Sequence, residues 1–417
     1  MTSRQASIKI IRRLRRNSFQ ALLAGGCVRD MLLGRRAKDY DVATDARPED
    51  VIRLFKRTLK VGAQFGVVIV LIEDRQVEVA TFRTETGYAD GRHPDTVEFT
   101  GAAEDAARRD FTINGMFYDP LTERVIDYVN GQADLKKRII RTIGKPTERF
   151  GEDYLRMLRA IRFSTQLGFA IEPSTWSAIC SNADKIRKIS GERIAMELEG
   201  ILVCPNRAEG VSMLNKSGLA GKIFPDFGRL QAQCATEVLG QLRKEVDFAL
   251  ALAGLFAGCK VQFAVDKLRV LKLSRNRIKH IKFLLSHRDT LLNENMSLAQ
   301  LKKLLAGPYF RDLYELQRAI QKAKGDGRKN LALSAAEGMA ALINLRKRIK
   351  ALGDIELRPK PLLNGHDLIR LGAVPGPGLG QLTEELYVVQ LEGQLKTPQQ
   401  AEDWVKRWLQ KHRMVEK

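Results

Sequence analysis

Apolar and polar positions divide the chain into a part with strand-like segments and a longer part that is helical. Short apolar runs at residues 19–24, 66–72 and 76–82 predict β-strands, the last two joined as a hairpin. A basic amphipathic segment at residues 4–16 predicts a helix. From residue 190 onward, apolar residues recur with the 3.6-residue period of helices. The pattern therefore predicts an α/β region followed by an all-α region.

Three further segments complete the predicted α/β region. Residues 48–59, which begin with a proline, are expected to form a helix. Residues 125–128 and 139–142 are expected to form strands that belong to the same domain. Residues 39 and 41 are expected to lie on one strand, where residues i and i+2 face the same side of the sheet.

Charge indicates the chemical class of the partner. The 417 residues carry a formal net charge of +21, with 44% apolar residues, enough to build a sizeable core. Residues 1–150 hold 27 Lys and Arg against 21 Asp and Glu, whereas residues 151–417 hold 43 against 28. The second segment therefore has a net charge of +15, which predicts a polyanion along it. A ribosome-associated protein or one that binds anionic membranes would have a similar composition.

The sequence predicts a cytoplasmic protein. No apolar run approaches the roughly 20 residues that cross a bilayer, and the arginine-rich N-terminal segment lacks the apolar core of a signal peptide. The five cysteines are widely spaced and form no Cys-x-x-Cys pair, which favours reduced thiols over disulfides or a zinc site. We therefore expect neither membrane nor zinc among the partners.

Residues 25–44, GGCVRDMLLGRRAKDYDVAT, carry the strongest chemical signal. Two carboxylates, Asp39 and Asp41, offer oxygen ligands suited to Mg²⁺. Gly26, in the glycine pair, permits close approach of the backbone to a phosphate at the start of a helix, and Arg29 adds positive charge nearby. An isolated Asp-x-Asp is common in surface turns, but its combination with the glycine pair and arginine is more specific.

This segment resembles the signature of class II tRNA nucleotidyltransferases and their bacterial poly(A) polymerase relatives, in the DNA polymerase β-like superfamily. The resemblance implies an elongated molecule with an α/β catalytic head built on a mixed β-sheet, followed by an all-α neck, body and tail. It further implies two Mg²⁺ ions, ATP and CTP as substrates, and a tRNA bound through its 3′ end and elbow side. The oligomeric state stays open. The implied domains are a head at 1–142, a neck at 143–200, a body at 201–310 and a tRNA-binding tail at 311–417.

Four further residues of the head are expected in the site. Glu78 is an acid within an alternating apolar segment, so it is either an edge residue or a ligand, and its neighbouring strand would carry the aspartates. The family also has an acid at this place, which implies a third catalytic carboxylate. The run RRDFTIN resembles a second family motif, in which Arg109 reaches the nucleotide phosphates and Asp110 and Asn114 orient the site.

A polar stripe at Asp153, Arg156 and Arg159 is predicted to share one face of a helix. It could be a solvated ion-pair face. Alternatively, an arginine donates to the ring nitrogen and an aspartate accepts from the amine of C or A, contacts that U and G invert. The residues match the nucleotide-selecting EDxxR motif of the family, which implies that Glu152 holds Arg156. The resemblance also implies that Arg159 and Arg162 face the triphosphate.

Residues 83–95 form a polar, glycine-containing loop in which Asp90, Gly91 and Arg92 are candidate flexible-loop residues. In the resembling family such a loop helps to switch the pocket between C and A, which argues against a C-only enzyme.

Three alternatives stay open. A poly(A) polymerase is disfavoured because residues 62–68 lack basic character and because residues 362–405 resemble a tRNA nucleotidyltransferase tail. An enzyme adding only the terminal A, or a non-catalytic RNA-binding protein, would share much of the pattern.

Overall fold

The computed structural model describes residues 1–60, 65–86, 96–327, 332–353 and 356–413. The chain divides into two compact units. The first comprises Met1–Gly240, Lys244–Ala251 and Gly258–Arg275, and the second comprises Gln241–Arg243, Leu252–Ala257 and Asn276–Lys417. In the described part of the chain, no helix combines the length and apolar character that spanning a bilayer requires.

All described strands lie in the first unit. A seven-stranded sheet has the order β3-β4-β5-β2-β1-β8-β9, and two small two-stranded sheets pair β6 with β7 and β10 with β11. In the large sheet β2 and β5 are parallel, whereas the other pairs are antiparallel. The predicted mixed sheet is therefore confirmed. The strands are β1 Ala21–Ala24, β2 Asp41–Thr44, β3 Thr58–Leu59, β4 Val67–Ile72, β5 Arg75–Thr81, β6 Arg83–Thr86, β7 Thr96–Phe99, β8 Phe117–Asp119, β9 Arg124–Ile126, β10 Ile139–Ile140 and β11 Ala170–Ile171.

Among the described residues, helices alternate with the strands in the first part of the chain and are the regular elements that follow β11, so the predicted succession from α/β to all-α is confirmed. They are α1 Ser3–Arg16, α2 Gly26–Leu32, α3 Pro48–Leu54, α4 Ala102–Ala107, α5 Gly131–Lys137, α6 Pro146–Glu152, α7 Leu155–Leu167, α8 Pro173–Asn182, α9 Gly191–Leu202, α10 Arg207–Lys216, α11 Leu219–Ile223, α12 Arg229–Gln241, α13 Phe248–Leu255, α14 Val261–Leu268, α15 Arg275–His287, α16 Leu298–Leu305, α17 Phe310–Gly327, α18 Ala332–Leu352, α19 Gly365–Arg370, α20 Pro377–Leu391 and α21 Pro398–Arg413.

Four predicted segments differ from the structure. In the loop expected at 83–95, Arg83–Thr86 form strand β6, which pairs with β7. The helix expected at 48–59 ends at Leu54, and the chain continues into the edge strand β3, which pairs with β4. Strand β2 begins at Asp41, so Asp39 precedes the strand instead of lying on it. Strand β10 does not join the large sheet but pairs in parallel with β11. Each of these segments is short, and its conformation is set by its tertiary partner more than by its own periodicity.

The parallel register of β2 and β5 places the acids of the site. Val42 is aligned with Val79, so the preceding residues, Asp41 and Glu78, stand at the same level. Because successive side chains alternate between faces, Val42 and Val79 point to the opposite face, where both are buried. Helix α1 covers that opposite face through contacts with β1, β2 and β5. The acids are thus left on the face that α1 does not cover.

The second unit has its own apolar core near the end of the chain. Helices α19, α20 and α21 contribute buried leucines such as Leu368, Leu382 and Leu386. Lys302 on α16 donates to the backbone oxygen of Leu391 at 2.8 Å, so its amine is paired although buried. Helix α17 packs against α18 within the same unit. The division into four domains at 142, 200 and 310 stays a prediction.

Candidate active site

A cleft of about 500 Å³ opens on the face of the large sheet that α1 does not cover. Its walls come from the ends of β1, β2 and β5, the start of α2, the segment after α4, the α6–α7 junction and the start of α9. Seven arginines and four acids are among the lining residues. The volume is within the range of small-ligand sites, and the excess of guanidinium groups suits a polyanionic ligand.

Three carboxylates gather at one wall of the cleft. Asp41 and Glu78 line it, whereas Asp39 is exposed beside them and is not among the lining residues. Although Asp41 opens onto the cleft, protein surrounds much of its carboxylate. This burial and repulsion from Glu78 and then Asp39 raise the pKa of Asp41 to about 6, against the opposing effect of Arg109. Negative charge at this wall is therefore only partly compensated by the protein.

A chain of hydrogen bonds links four residues that line the cleft. Arg29 donates from Nη1 to Oδ1 of Asn114 at 2.7 Å, and Asn114 donates from Nδ2 to Asp110 at 3.2 Å. Oδ2 of Asp110 accepts from Nε of Arg159 at 2.8 Å. All four residues line the cleft, three of them are buried, and Arg159 is the least enclosed. The predicted orienting role of Asp110 and Asn114 thus has a direct counterpart in the contacts.

Ionisation of Asp110 is strongly favoured by this arrangement. Burial alone would raise its pKa, but the Arg159 guanidinium and hydrogen bonds from Arg159 and Asn114 outweigh burial and lower the pKa to about 2. The Asp110–Arg159 pair therefore stays charged at neutral pH.

Arg109 is held by Asp105, an acid that the sequence analysis did not single out. Its Nη2 donates to Oδ2 of Asp105 at 2.9 Å, and Arg108 donates to the other carboxylate oxygen at 2.7 Å. Burial tends to raise the pKa of Asp105, but the two guanidinium groups outweigh it and lower the pKa. Gly25 has φ of 75°, and a Cβ there would lie 3.1 Å from Nη1 of Arg109. The glycine therefore both permits the turn and leaves space for the arginine.

The chain breaks between α6 and α7 at the residues proposed to read the base. Asp153 has extended φ and ψ angles and lies between the two helices. The prediction that Asp153, Arg156 and Arg159 share one helix face is therefore wrong for Asp153, because its backbone is not helical. Its side chain accepts from the backbone N–H of Leu155, the first residue of α7, at 3.0 Å. Asp153 nevertheless lines the same cleft as Arg156 and Arg159.

Arg156 is buried and held by two acceptors. Its Nη1 donates to Glu152 at 2.5 Å and to the backbone oxygen of Arg149 at 2.8 Å. The contact between Glu152 and Arg156 agrees with the role that the family motif implies for Glu152. Asp153 in turn accepts from Nη2 of Arg193 at 2.6 Å. The side chains of Asp153 and Arg156 are thus both held by hydrogen bonds within the protein.

Arg162 lies elsewhere than predicted. Its Nε donates to Glu197 at 2.5 Å and its Nη1 donates to Gln166 at 3.2 Å, and it is not among the lining residues. It lies three positions after Arg159, and its ion-pair partner Glu197 is on α9. The structure therefore brings together Gly26, Arg29, Asp41, Glu78, Arg109, Asp110, Asn114, Asp153, Arg156 and Arg159. The proposed loop residues Asp90, Gly91 and Arg92 lie outside the described residues.

Sequence reasoning missed several lining residues, among them Arg83, Phe163 and Arg193. Phe163 underlies the guanidinium of Arg29, whose carbon lies 5.2 Å from the ring centroid. Arg193 lies in the first turn of α9, in a region where the sequence shows only a helical period. No local signal identifies it, because its contact with Asp153 spans 40 residues.

Comparison with known proteins agrees with this site. Residues 21–141 match the model for the poly A polymerase head domain, and residues 168–230 match the model for the probable RNA and SrmB-binding site of polymerase A. The CCA-adding enzyme of Streptococcus gordonii is 34% identical over 403 residues, which cover 94% of each chain. The CCA-adding enzyme of Geobacillus kaustophilus is 46% identical over 218 residues, which cover 52% of this chain and 53% of that one.

The fold supports the same assignment. The crystal structure of the Bacillus stearothermophilus CCA-adding enzyme in complex with CTP covers 100% of this chain and 99% of its own, with a TM-score of 0.79 and 29% identity. Sequence identity over nearly the whole chain, the matched head domain and this fold together show that the chain belongs to the class II family of CCA-adding enzymes and poly(A) polymerases, which are nucleotidyltransferases.

Proposed function

We propose that the chain adds the 3′-terminal C, C and A to tRNA, taking nucleotidyl groups from CTP and ATP and releasing pyrophosphate without a nucleic-acid template. The observation that carries the proposal is that two acids, Asp41 and Glu78, line the same cleft as Asp153 and Arg156. We assign catalysis to the first pair and selection of the base to the second. The names of the full-length relatives support CCA addition over addition of A alone.

Selection of the base follows from hydrogen-bond chemistry. The Arg156 guanidinium carries donors only, and an ionised Asp153 carries acceptors only. Cytosine and adenine both present a ring-nitrogen acceptor beside an amine donor, so both complement this pair. Uracil and guanine present a ring N–H beside a carbonyl, which would set donor against donor and acceptor against acceptor. Such mismatches in a site built for hydrogen bonding reduce kcat/KM by roughly 10⁴–10⁵-fold.

The triphosphate is expected to lie among arginines that line the cleft. Arg29, Arg109 and Arg159 line the cleft and are each held by an acid or amide behind them. Because these guanidinium groups are already oriented, they lose little conformational freedom when a phosphate binds. They would position the α-phosphate for attack by the 3′-hydroxyl of the RNA.

The acidic wall fits divalent cations. Burial, together with repulsion from Glu78 and Asp39, raises the pKa of Asp41, and a cation would relieve that repulsion. We propose that Asp41 and Asp39 hold two Mg²⁺ ions, with Glu78 as a third acid beside them. When bound, the ions lower the pKa of the attacking hydroxyl and stabilise charge on the leaving pyrophosphate.

The polyanionic partner is proposed to be tRNA, bound through its 3′ end and elbow side. The charge of +15 on residues 151–417 supports a phosphate track outside the head. Addition of A alone and synthesis of poly(A) tails use the same chemistry and differ in the RNA end that is accepted.

Three transcripts distinguish these activities. One tRNA lacks all three terminal nucleotides, one lacks only the terminal A, and one is complete; each is incubated with a single labelled nucleotide. We expect C on the first, A on the second and neither on the third. Incorporation of A on the second without C on the first would indicate an A-adding enzyme. Long A tails on unrelated RNA would indicate a poly(A) polymerase, and either result would overturn the proposal.

A further inference from the structure

A second, strongly basic concavity of about 610 Å³ lies between α1, the segment that follows α3, and the β4–β5 hairpin. We call it the rear groove. The cleft acids Asp41 and Glu78 face one side of the sheet, whereas α1 packs on the other side against β1, β2 and β5. The rear groove is therefore separated from the cleft by the sheet. Its rim cations are Lys9, Arg12, Arg13, Arg16, Lys56 and Arg57.

Most of this charge is uncompensated. Glu73 is the single acid among the lining residues, and it lies 3.8 Å from Lys9. Among the described residues, Arg12, Arg16 and Arg57 are exposed and form no ion pair. This contrasts with the cleft, where Arg29, Arg109 and Arg159 are each paired with an acid. Six cations with one acid among them require an external anion or solvent to balance the remaining charge.

The arrangement of the cations suits a charged strand. Four of them recur at positions 9, 12, 13 and 16 of α1, a spacing that keeps them on one stripe about 10 Å long. The cations at 56 and 57 come from a different part of the chain and enter the same concavity. A ligand that contacts both sets must carry several negative charges along its length.

The floor of the rear groove is less suited to reading bases. Phe55 is 7% exposed and Arg13 lies over its ring, 5.3 Å from the centroid. The ring is therefore covered and cannot serve as a platform on which a base stacks. Leu71 and Ile72 are only half-buried and present no polar group for base edges. Recognition here would depend on backbone charge and not on sequence.

We propose that the rear groove binds the phosphate backbone of RNA that is not engaged in the catalytic cleft. Every nucleotide of an RNA backbone carries a negatively charged phosphate, so RNA of any sequence can pair with the cations on both sides of the groove. An acidic peptide would need a particular sequence of Asp and Glu to do the same. Arginine is also the residue that bonds phosphate with two parallel N–H groups. The binding requires no catalytic step, so its failure would leave the proposed function untouched.

A salt titration tests the proposal. The probe is a fluorescein-labelled 12-base-pair RNA duplex without tRNA structure and with blocked 3′ ends, and its affinity is measured by anisotropy at several salt concentrations. We compare the wild type with Arg12→Gln/Arg16→Gln/Arg57→Gln and with a control of equal charge loss, Arg124→Gln/Lys136→Gln/Lys137→Gln. The slope of log K against log salt is expected to fall by about 2 to 3 in the rear-groove variant and by less than about 1 in the control.

Two more measurements separate RNA binding in the rear groove from a general effect of lost charge. Arg12→Lys/Arg16→Lys/Arg57→Lys, which keeps the charge, is expected to recover most of the slope. A duplex containing 4-thiouridine is expected to cross-link to peptides spanning residues 9–16 or 56–60. Equal slopes in the two glutamine variants would overturn the proposal. Equally tight and equally variant-sensitive binding of polyglutamate, or of vesicles with anionic lipid, would also overturn it, because the surface would then not select RNA.

Discussion

Arg193 donates a 2.6 Å hydrogen bond to Oδ2 of Asp153, so the first turn of α9 holds the carboxylate that is proposed to read the exocyclic amine of the base. Oδ1 of the same carboxylate is occupied by the backbone of Leu155. Asp153 is therefore fixed by contacts at both oxygens. A carboxylate so held keeps acceptor geometry toward the cleft without a ligand-induced rearrangement.

Arg193→Gln is expected to reduce discrimination between C and U. With the guanidinium lost, Asp153 would sample other orientations, and a charged hydrogen bond of this kind contributes about 1.5–3 kcal/mol. We expect kcat/KM for CTP to fall by about tenfold or more, with a smaller fall for UTP. Single-nucleotide incorporation with all four nucleotides measures the ratio. Arg193→Lys should restore part of it, whereas equal losses for CTP and UTP would contradict a positioning role.

Asp41→Asn is expected to abolish turnover while leaving tRNA affinity nearly unchanged. Removal of groups that only support metal ligands already costs about 10–100-fold, so loss of a proposed ligand should exceed a hundredfold in kcat. Single-turnover incorporation measures the first quantity, and a filter-binding assay measures the second. Near-normal incorporation by this variant would exclude the proposed metal role of Asp41.

The site was predictable from the sequence wherever the necessary residues are close together along the chain. The glycine pair, Arg29 and Asp41 lie within one segment, and regular strand pairing then brought Glu78 beside Asp41. Asp153 lines the cleft at a break between two helices. The 3.6-residue period of the neighbouring residues did not predict that break.

Long-range partners account for the remaining differences. Arg162 follows the same helical stripe as Arg159, yet Glu197 on another helix determines where it points. The role of Arg193 likewise depends on an ion pair with Asp153, 40 residues away along the chain. Asp105 is the exception, because it pairs with Arg109 at the local i,i+4 spacing, a signal that the sequence did contain. The period of apolar residues in one sequence does not show which charged side chains pair between helices, and those pairs determine where Arg162 and Arg193 point.

Arg159 and Arg162 should differ sharply in function although both were expected at the triphosphate. Arg159 lines the cleft, whereas Arg162 pairs with Glu197 outside the lining. Arg159→Gln is expected to lower kcat/KM for CTP by about tenfold or more, consistent with loss of a charged contact. Arg162→Gln is expected to change it by less than about threefold while lowering the free energy of unfolding. Steady-state kinetics and urea unfolding on both variants test this, and equal kinetic losses would contradict it.

Asp110 should make the stability of the head depend on pH in the acid range. Its folded pKa of about 2 lies below the ordinary value of 3.8, so its contribution is fully present above about pH 4 and is lost as pH falls toward 2. The difference in unfolding free energy between the wild type and Asp110→Asn is expected to be about 1.5–3 kcal/mol at pH 6. Urea unfolding between pH 6 and pH 3 should show that the difference shrinks only at the acid end. A difference that grows as pH falls would contradict the assigned ionisation.

Gly191→Ala is expected to disturb both stability and base selection. A Cβ at Gly191 would lie 1.8 Å from the backbone oxygen of Val270, which cannot yield as a flexible side chain would. The start of α9 must then shift, and overpacking of this kind costs about 1–3 kcal/mol. Because Arg193 follows two residues later, the shift should also weaken its hold on Asp153.

The matched control is Gly221→Ala on α11, where an added Cβ meets nothing within 4 Å. That variant should be neutral or stabilised by up to about 1 kcal/mol, since alanine is the better helix former. Urea unfolding and the CTP to UTP ratio measure the two effects for both variants. If Gly191→Ala lowered stability but left the ratio intact, the packing of α9 on Val270 would be structural only, and the position of Asp153 would have to depend on Leu155 instead.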